Sequence, residues 1–422
     1  MMLSYHPERV KEVGNLEGTI TMRRFFFLLV PLLLAADWPA WRGPLGNGVT
    51  SEKNLPEKWS DTDNVRWKSA LPGVGVGTPA IVGDRVFVTA SDGRQNERLH
   101  VLCLDARTGK QLWHSRLFGS AIPESEYSPG GMAASSPISN GKYVFALFGT
   151  ADLVCLDFDG KPVWVRSLGD EYGTFRNRWG MSSSPLLVDD TVVVQVDHWG
   201  QSYLLAVDVA TGKNRWRTER DTQVNWTSPV MAMVKGKPQI VASGTNLVKG
   251  YDGTNGKELW TVKGMQQQCI PTPIVDGEFV YAVSGRKGNS LKIRLDGATG
   301  DLTNTHVVWR KPRGAPFTPS GVVYDGRYYL IDDDGLGTCL DAKTGDLLWQ
   351  ERMGGHYRAS MSAGDGKVFF TNMEGVVTVV QASDEFAVIE KNKLDEGIHA
   401  SPAFANGRIY LRGEKHLFCI GK

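Results

Sequence analysis

The side chains able to do chemistry fall in short stretches: Glu124-Ser125-Glu126-Tyr127, Arg176-Asn177-Arg178-Trp179, Asp197-His198-Trp199, Asn225-Trp226, Gln266-Gln267-Gln268, His356-Tyr357-Arg358 and His399. An arginine fork grips a carboxylate or phosphate with two parallel bonds. An indole face offers a stacking platform, and histidine can act as acid, base or metal ligand. The candidate binding set is therefore Arg178, Trp179, His198, Trp226, Gln268, His356, Tyr357, Arg358 and His399. Spacing restricts what this set can do. No H-x-x-x-H or His/carboxylate spacing accompanies the histidines, which fits hydrogen-bonded loop residues better than a metal centre. Asp332-Asp333-Asp334-Gly335 has the carboxylates for Ca²⁺ and equally the residues of a tight turn. No glycine loop precedes a helix to cradle phosphate, and no Ser/His/Asp order is defensible. No catalytic residue and no metal ligand are assigned. Trp179 and Trp226 either plug a channel mouth or stack on a ligand. Arg178 and Arg358 either hold that ligand or pair with nearby carboxylates.

What positions these stretches is a repeat. Asp341-Ala342-Lys343-Thr344-Gly345…Trp349 recurs as Asp105…Thr108-Gly109…Trp113, Asp208…Thr211-Gly212…Trp216 and Asp252…Asn255-Gly256…Trp260. Asp157…Gly160…Trp164 is one residue shorter, and Asp296…Gly300…Trp309 carries an insertion. Asp binds turn amides, Gly supplies positive φ, and Trp starts the next strand with a large apolar surface. Each unit opens on Ser/Thr-Pro: Thr78-Pro79, Ser136-Pro137, Ser184-Pro185, Ser228-Pro229, Thr272-Pro273, Thr318-Pro319 and Ser401-Pro402, with Ser360-Met361 as the departure. Asn-Gly and Asp-Gly hairpins such as Asp325-Gly326 and Asn406-Gly407 follow in most copies.

Four short antiparallel strands repeated this way make an all-β, eight-bladed β-propeller over residues 64–422 with no credible helix. The seventh unit is degenerate, with Gln381 for Asp and Ile389 for Trp. The eighth unit lacks its Trp strand, and Val65-Arg66-Trp67-Lys68 is a spare one. Pairing the two closes the ring and removes an open edge, whereas a linear solenoid would strand both. Trp67, Trp113, Trp164, Trp216, Trp260, Trp309 and Trp349 are then packing residues between blades. By strand parity, the first-strand entries and the loops from second to third strand share one face. That face holds every candidate stretch above, and residues just before each Ser/Thr-Pro should ring a central funnel.

Cys103, Cys155, Cys339 and Cys419 share one slot of the repeat, so disulfides among them are unsuited and buried packing is expected. Cys269 lies outside the slot and is the thiol to test for reactivity. A net charge of +1 gives no field for nucleic acid. Residues 1–21 read as an extension ahead of a start at Met22. Residues 22–36 read as a signal peptide: Met22-Arg23-Arg24, apolar Phe25–Leu34, then Ala35-Ala36. The run is too short for a membrane span, and no Cys follows it for a lipid anchor. Residues 37–63, with Trp38, Trp41 and Trp59, read as an ordered arm.

The Asp-x-x-Thr-Gly-x-x-x-Trp units resemble the PQQ-like (pyrroloquinoline-quinone) propeller repeat, and WD40's Gly-His…Trp-Asp pattern is absent. That resemblance implies one of two branches. Quinoprotein alcohol dehydrogenases bind PQQ with calcium beside adjacent cysteines, and this chain has no Cys-Cys pair and no C-x-x-C-H. Non-catalytic propellers, among them the outer-membrane assembly lipoprotein, bind proteins. The Trp38–Pro44 arm is similar to the start of exported bacterial PQQ-like proteins. The expectation is an exported, periplasmic or extracellular, monomeric propeller that binds a protein or envelope component through the funnel and needs no cofactor. The alternatives are a PQQ- and calcium-dependent dehydrogenase, or carbohydrate and small-molecule binding at the aromatic funnel.

Overall fold

The Asp turn builds itself from its own atoms. Asp105 Oδ1 accepts from the amides of Arg107 and Thr108 at 3.0 and 2.8 Å and from the Thr108 hydroxyl at 2.9 Å. Asp208 repeats this with the Thr211 amide and hydroxyl, both at 2.8 Å, and the hydroxyl bond first, then the amide, hold its carboxyl down at about 2. The following glycine has φ +70° at Gly109 and +68° at Gly212, which other residues resist. It also has a neighbour. A Cβ on Gly109 would lie 2.6 Å from the Trp67 indole, one on Gly160 2.6 Å from Trp113, and one on Gly212 2.7 Å from Trp164. Each Trp therefore lies on the Gly turn of the next blade. Its indole N–H donates to a carbonyl there: Trp67 to Ala106 O at 3.1 Å, Trp113 to Phe158 O at 2.9 Å and Trp164 to Val209 O at 3.0 Å. Burying such a ring removes roughly 150–250 Å² from water. Local turn chemistry and long-range packing thus use the same three residues.

The computed structural model describes residues 37–121, 130–177 and 179–421, and within them stand eight antiparallel sheets. The first blade comprises Ala80–Val82, Arg85–Asp92, Arg98–Asp105 and Gln111–Phe118. Blade eight comprises Ala403–Ala405, Arg408–Arg412 and His416–Ile420, completed by Val65–Ala70 with Trp67 opposite Cys419. The ring closes as the repeat requires. The cysteine slot is the one facing the Trp across the strands: Cys103 opposes Trp113, Cys155 opposes Trp164 and Cys339 opposes Trp349. All five cysteines are free and buried.

Five details go beyond the expectations or differ from them. A five-residue helix, Leu168–Tyr172, follows blade two, with the Ser167 hydroxyl accepting from the Asp170 amide as N-cap. In blade seven Val379 opposes Glu390, so Glu390 and not Ile389 stands where the Trp would be. The arm's Trp59 is buried among blade-seven and blade-eight residues such as Val379, Phe404 and Ile409. Trp260 turns onto Gly250 of its own sheet and donates to Gln239 Oε1 at 2.9 Å. The insertion before Trp309 adds Gly300–Asp301 as a parallel fifth strand beside Trp260 and Thr261.

At the axis, first-strand hydroxyls link neighbouring blades. The Thr78 amide donates to Ser136 Oγ at 2.9 Å, Ser136 to Ser184 Oγ at 3.0 Å, Ser184 to Ser228 Oγ at 2.9 Å and Ser228 to Thr272 Oγ1 at 3.4 Å. Thr272 then donates to Ser320, Ser320 to Ser360 and Ser360 to Ser401, each at 2.9 Å. The last interval is closed by the Thr78 hydroxyl on Ser401 O at 3.2 Å. In blade six the ring member is Ser320, two residues beyond the expected Thr318-Pro319. Seven of these links satisfy an amide that would otherwise be buried and unpaired.

The arm crosses the opposite face. Trp38 exchanges backbone bonds with Ile81 in blade one. Trp41 Nε1–H donates to Thr272 Oγ1 at 3.0 Å in blade five. The buried Arg42 guanidinium donates to Met361 O at 3.1 Å and to Gly321 O, bridging blades six and seven, and burial lowers its pKa to about 10. Glu52 accepts from the amides of Asn406 and Gly407 in blade eight.

Candidate functional site

With the far end of the axis occupied by Trp41, the ring of hydroxyls lines a cavity of about 150 Å³ that opens toward the other face. Above it lies a funnel of about 520 Å³ walled by Trp179, Trp226, Gln268, Arg286, Phe317, Asp333 and Arg358. The funnel is a concave, partly aromatic cavity with a few convergent polar groups, which makes it the candidate site.

Trp226 forms a fixed wall. Its amide donates to Cys269 O at 3.0 Å and its indole to Gly180 O at 3.1 Å. Trp179 meets it edge-on at 5.6 Å between centroids, and Trp199 extends the ridge at 6.3 Å. Trp179 and Trp199 are exposed, at 45% and 52%. Gln268, at φ +58°, accepts from Arg286 Nε at 2.5 Å, and Arg286 lies over Phe317 at 5.3 Å. Asp333 Oδ2 accepts from the amides of Phe317 and Thr318 at 2.8 and 3.2 Å. Arg358 lines both the funnel and the channel, and among the described residues it has no hydrogen-bond or ion-pair partner. Of the two alternatives for Arg358, pairing with a nearby carboxylate is therefore not found among those residues.

The other candidates separate. His399 lines the channel, with Nε2 3.5 Å from Glu414 and a buried, unpartnered Nδ1. Burial, then the charge of Arg358, lower its pKa. His198 sits under the rim and not in the cavity: Nδ1 accepts from the Arg176 amide at 3.0 Å and Nε2–H donates to Gln201 O at 3.2 Å. Its loop is anchored by Asp197, whose carboxylate takes two prongs of the buried Arg220 at 2.9 and 3.1 Å. His356 stands outside the funnel, on Glu374 at 3.1 Å. Tyr357 is a correction: it is 1% exposed in the core between blades six and seven, beside Trp349 and Met361. Arg178 and the Glu124–Tyr127 stretch lie outside the described residues. Cys269, the thiol singled out for a reactivity test, is fully buried, and burial pushes its pKa up to about 12, against reactivity.

Phe317, Arg286 and the inward turn of Asp333 were missed. Phe317 precedes Thr318-Pro319, so the rule used for the other funnel residues would have reached it. The remaining acidic turn is a turn: Asp332 Oδ1 accepts from the amides of Asp334 and Leu336 at 3.1 and 2.8 Å.

Calcium beside a quinone takes convergent oxygen ligands, carboxylates among them. Among the described residues no three of His, Cys, Asp or Glu gather to hold a metal ion. The one carboxylate walling the funnel among the described residues, Asp333, already accepts from two amides at Oδ2. These residues do not fit a calcium–quinone pair.

The family described as Outer membrane protein assembly factor BamB matches residues 49–222, 97–337 and 332–419. The outer membrane protein assembly factor BamB of Yersinia pestis is 23% identical over 390 residues, covering 86% of this chain and 90% of its own. A polyvinylalcohol dehydrogenase of Pseudomonas sp is 21% identical over 360 residues, 75% of this chain and 51% of its own. In three dimensions a europium-containing methanol dehydrogenase superposes with a TM-score of 0.70 at 12% identity, over 90% of each chain. At that identity the likeness is one of fold.

Proposed function

This chain belongs to the PQQ-like propeller family described as Outer membrane protein assembly factor BamB, and we propose that it is an exported, non-catalytic scaffold of the cell envelope that binds a protein partner through the funnel face. The observation that carries this function is the chemistry of the funnel wall. Among the described residues it carries one carboxylate, Asp333, whose Oδ2 is held by two backbone amides, and no second acid lines the wall beside it for acid–base or cation chemistry. The walls offer indole faces and guanidinium groups, the side chains that dominate protein-binding surfaces. The extent of the match supports the same view, since the chain spans most of the Yersinia pestis BamB and about half of the dehydrogenase. Among the described residues no helix is long and apolar enough to cross a membrane. Export rests on the composition of residues 22–36, which lie outside the described residues; N-terminal sequencing of the mature protein near Asp37 tests it.

The dehydrogenase alternative has the polyvinylalcohol dehydrogenase match behind it, with Trp179 or Trp226 as the surface against a quinone. Purified protein incubated with PQQ and Ca²⁺ separates the two. The scaffold predicts no quinone absorbance and no dye-linked alcohol oxidation, together with recovery of a discrete envelope protein on the immobilised mature chain. Turnover with alcohol would reverse the conclusion.

A further inference from the structure

Building on the scaffold function above, we infer that the segment captured by the funnel is an acidic, aromatic-containing extended peptide, its carboxylates on Arg358 and Arg286 and its rings against Trp226, Trp179 and Phe317. Among the described residues two cations and one carboxylate wall the cavity, and Oδ2 of the carboxylate is engaged by backbone. Arg358 has no polar partner among the described residues, and Arg286 has only the neutral amide of Gln268. Arg358 is half-buried and Arg286 exposed. A guanidinium partly withdrawn from water without a counter-charge, as at Arg358, favours an incoming anion, and a carboxylate matches its fork.

The distribution of these groups selects a peptide over a small ion. Arg286 lies in the loop between the second and third strands of blade five, Phe317 precedes blade six, Arg358 precedes blade seven, and Trp179 and Trp226 precede blades three and four. A lone carboxylate on Arg358 leaves the Trp179–Trp199 ridge unused. An extended segment carrying acidic and aromatic side chains in turn meets both kinds of wall. The base is closed by Trp41 on Thr272, so the segment lies across the funnel and does not thread it.

The test is a titration of intrinsic tryptophan fluorescence with a synthetic peptide alternating Glu and Tyr, its Lys-Tyr counterpart, and an oligogalacturonate. The Glu-Tyr peptide is expected to bind at least about tenfold tighter than the Lys-Tyr peptide and to weaken severalfold as salt rises. Arg358→Ala should weaken it about tenfold, and Arg358→Lys should restore part of the loss, with melting temperatures unchanged. Arg286→Ala provides a second variant should Arg358→Ala melt early. Equal affinity for both peptides, or no effect of either alanine variant, overturns the inference. Tighter binding of the oligogalacturonate also overturns it, in favour of an acidic glycan. If the Glu-Tyr peptide fails while an envelope protein is retained equally by wild type and Arg358→Ala, the scaffold stands and the peptide chemistry falls. Alcohol oxidation with PQQ and Ca²⁺ would remove the scaffold itself.

Discussion

Trp41 Nε1 lies 3.0 Å from Thr272 Oγ1, so an indole from the arm hydrogen-bonds a ring hydroxyl 231 positions later in the chain. The same Thr272 hydroxyl accepts the Ser228 amide, so one oxygen joins the arm to two blades. Trp41→Ala should cost about 3 kcal/mol through lost packing. Trp41→Phe, which keeps most of the ring and loses the bond, should cost about 1 kcal/mol. Urea denaturation midpoints distinguish the two: Trp41→Phe matching wild type would mean the bond carries no weight, and equal losses would mean the packing carries none.

Gly160 combines φ +83° with the Trp113 indole where a Cβ would go. Gly160→Asn relieves the backbone penalty and keeps the clash, so a loss of roughly 1–3 kcal/mol is expected. Gly326 has φ +73° and nothing within 4 Å of its Cβ position, so Gly326→Asn should stay within about 0.5 kcal/mol of wild type. A double-mutant cycle adding Trp113→Ala should reveal coupling at Gly160 and none at Gly326.

Asp197 and Arg220 are both 1% exposed at their side chains and hold each other with two bonds. Arg220→Met leaves a buried carboxylate unpaired and should cost about 3–5 kcal/mol. Because Asp197 anchors the loop of His198 and Trp199, partner binding by this variant should fall even well below its melting temperature. Binding at wild-type affinity would separate the rim from this ion pair.

Acid stability follows from His198. Its two ring bonds suit the neutral imidazole, and burial lowers its pKa from the ordinary 6.5. As pH falls, the unfolded chain takes up this proton first. The contribution is complete above about pH 6.5 and is shed as pH drops through the depressed folded value. His114 and His399 shift in the same direction. Melting temperature should therefore fall between about pH 7 and pH 5, and His198→Asn should flatten part of that slope. An unchanged slope would mean the ring is solvated.

The thiols should be silent. Burial pushes Cys103, Cys155, Cys269 and Cys339 up to about 12 and Cys419 to about 11. A colorimetric thiol reagent should find none in the native protein and five in denaturant. Any fast native reaction would locate a local opening.

The eightfold ring and its closure were legible because the Asp-Gly turn forms within a few residues and recurs at a fixed offset from a Trp, with a spare Trp strand at the head matching the one missing at the tail. What was not legible depended on partners distant in sequence. Thr318-Pro319 matches the local pattern, yet the Thr318 amide is claimed by Asp333 and Ser320 takes the ring position. Tyr357 and Arg358 are adjacent, and only the packing of blades six and seven sends one into the core and the other to the funnel. Five residues of helix after Ser167 are too few to leave a periodic trace. Trp41 was recognised as ordered, but nothing in the order of residues 38–44 reveals a plug.

Strand Val65–Ala70 has no neighbour until His416–Ile420 arrives to meet it. A ribosome or translocon delivering this chain in order thus holds a circle without its clasp almost to the last moment. A lesion in the final strand would unfasten the first one too, exposing two raw sheet margins at once and inviting aggregation of otherwise intact sectors.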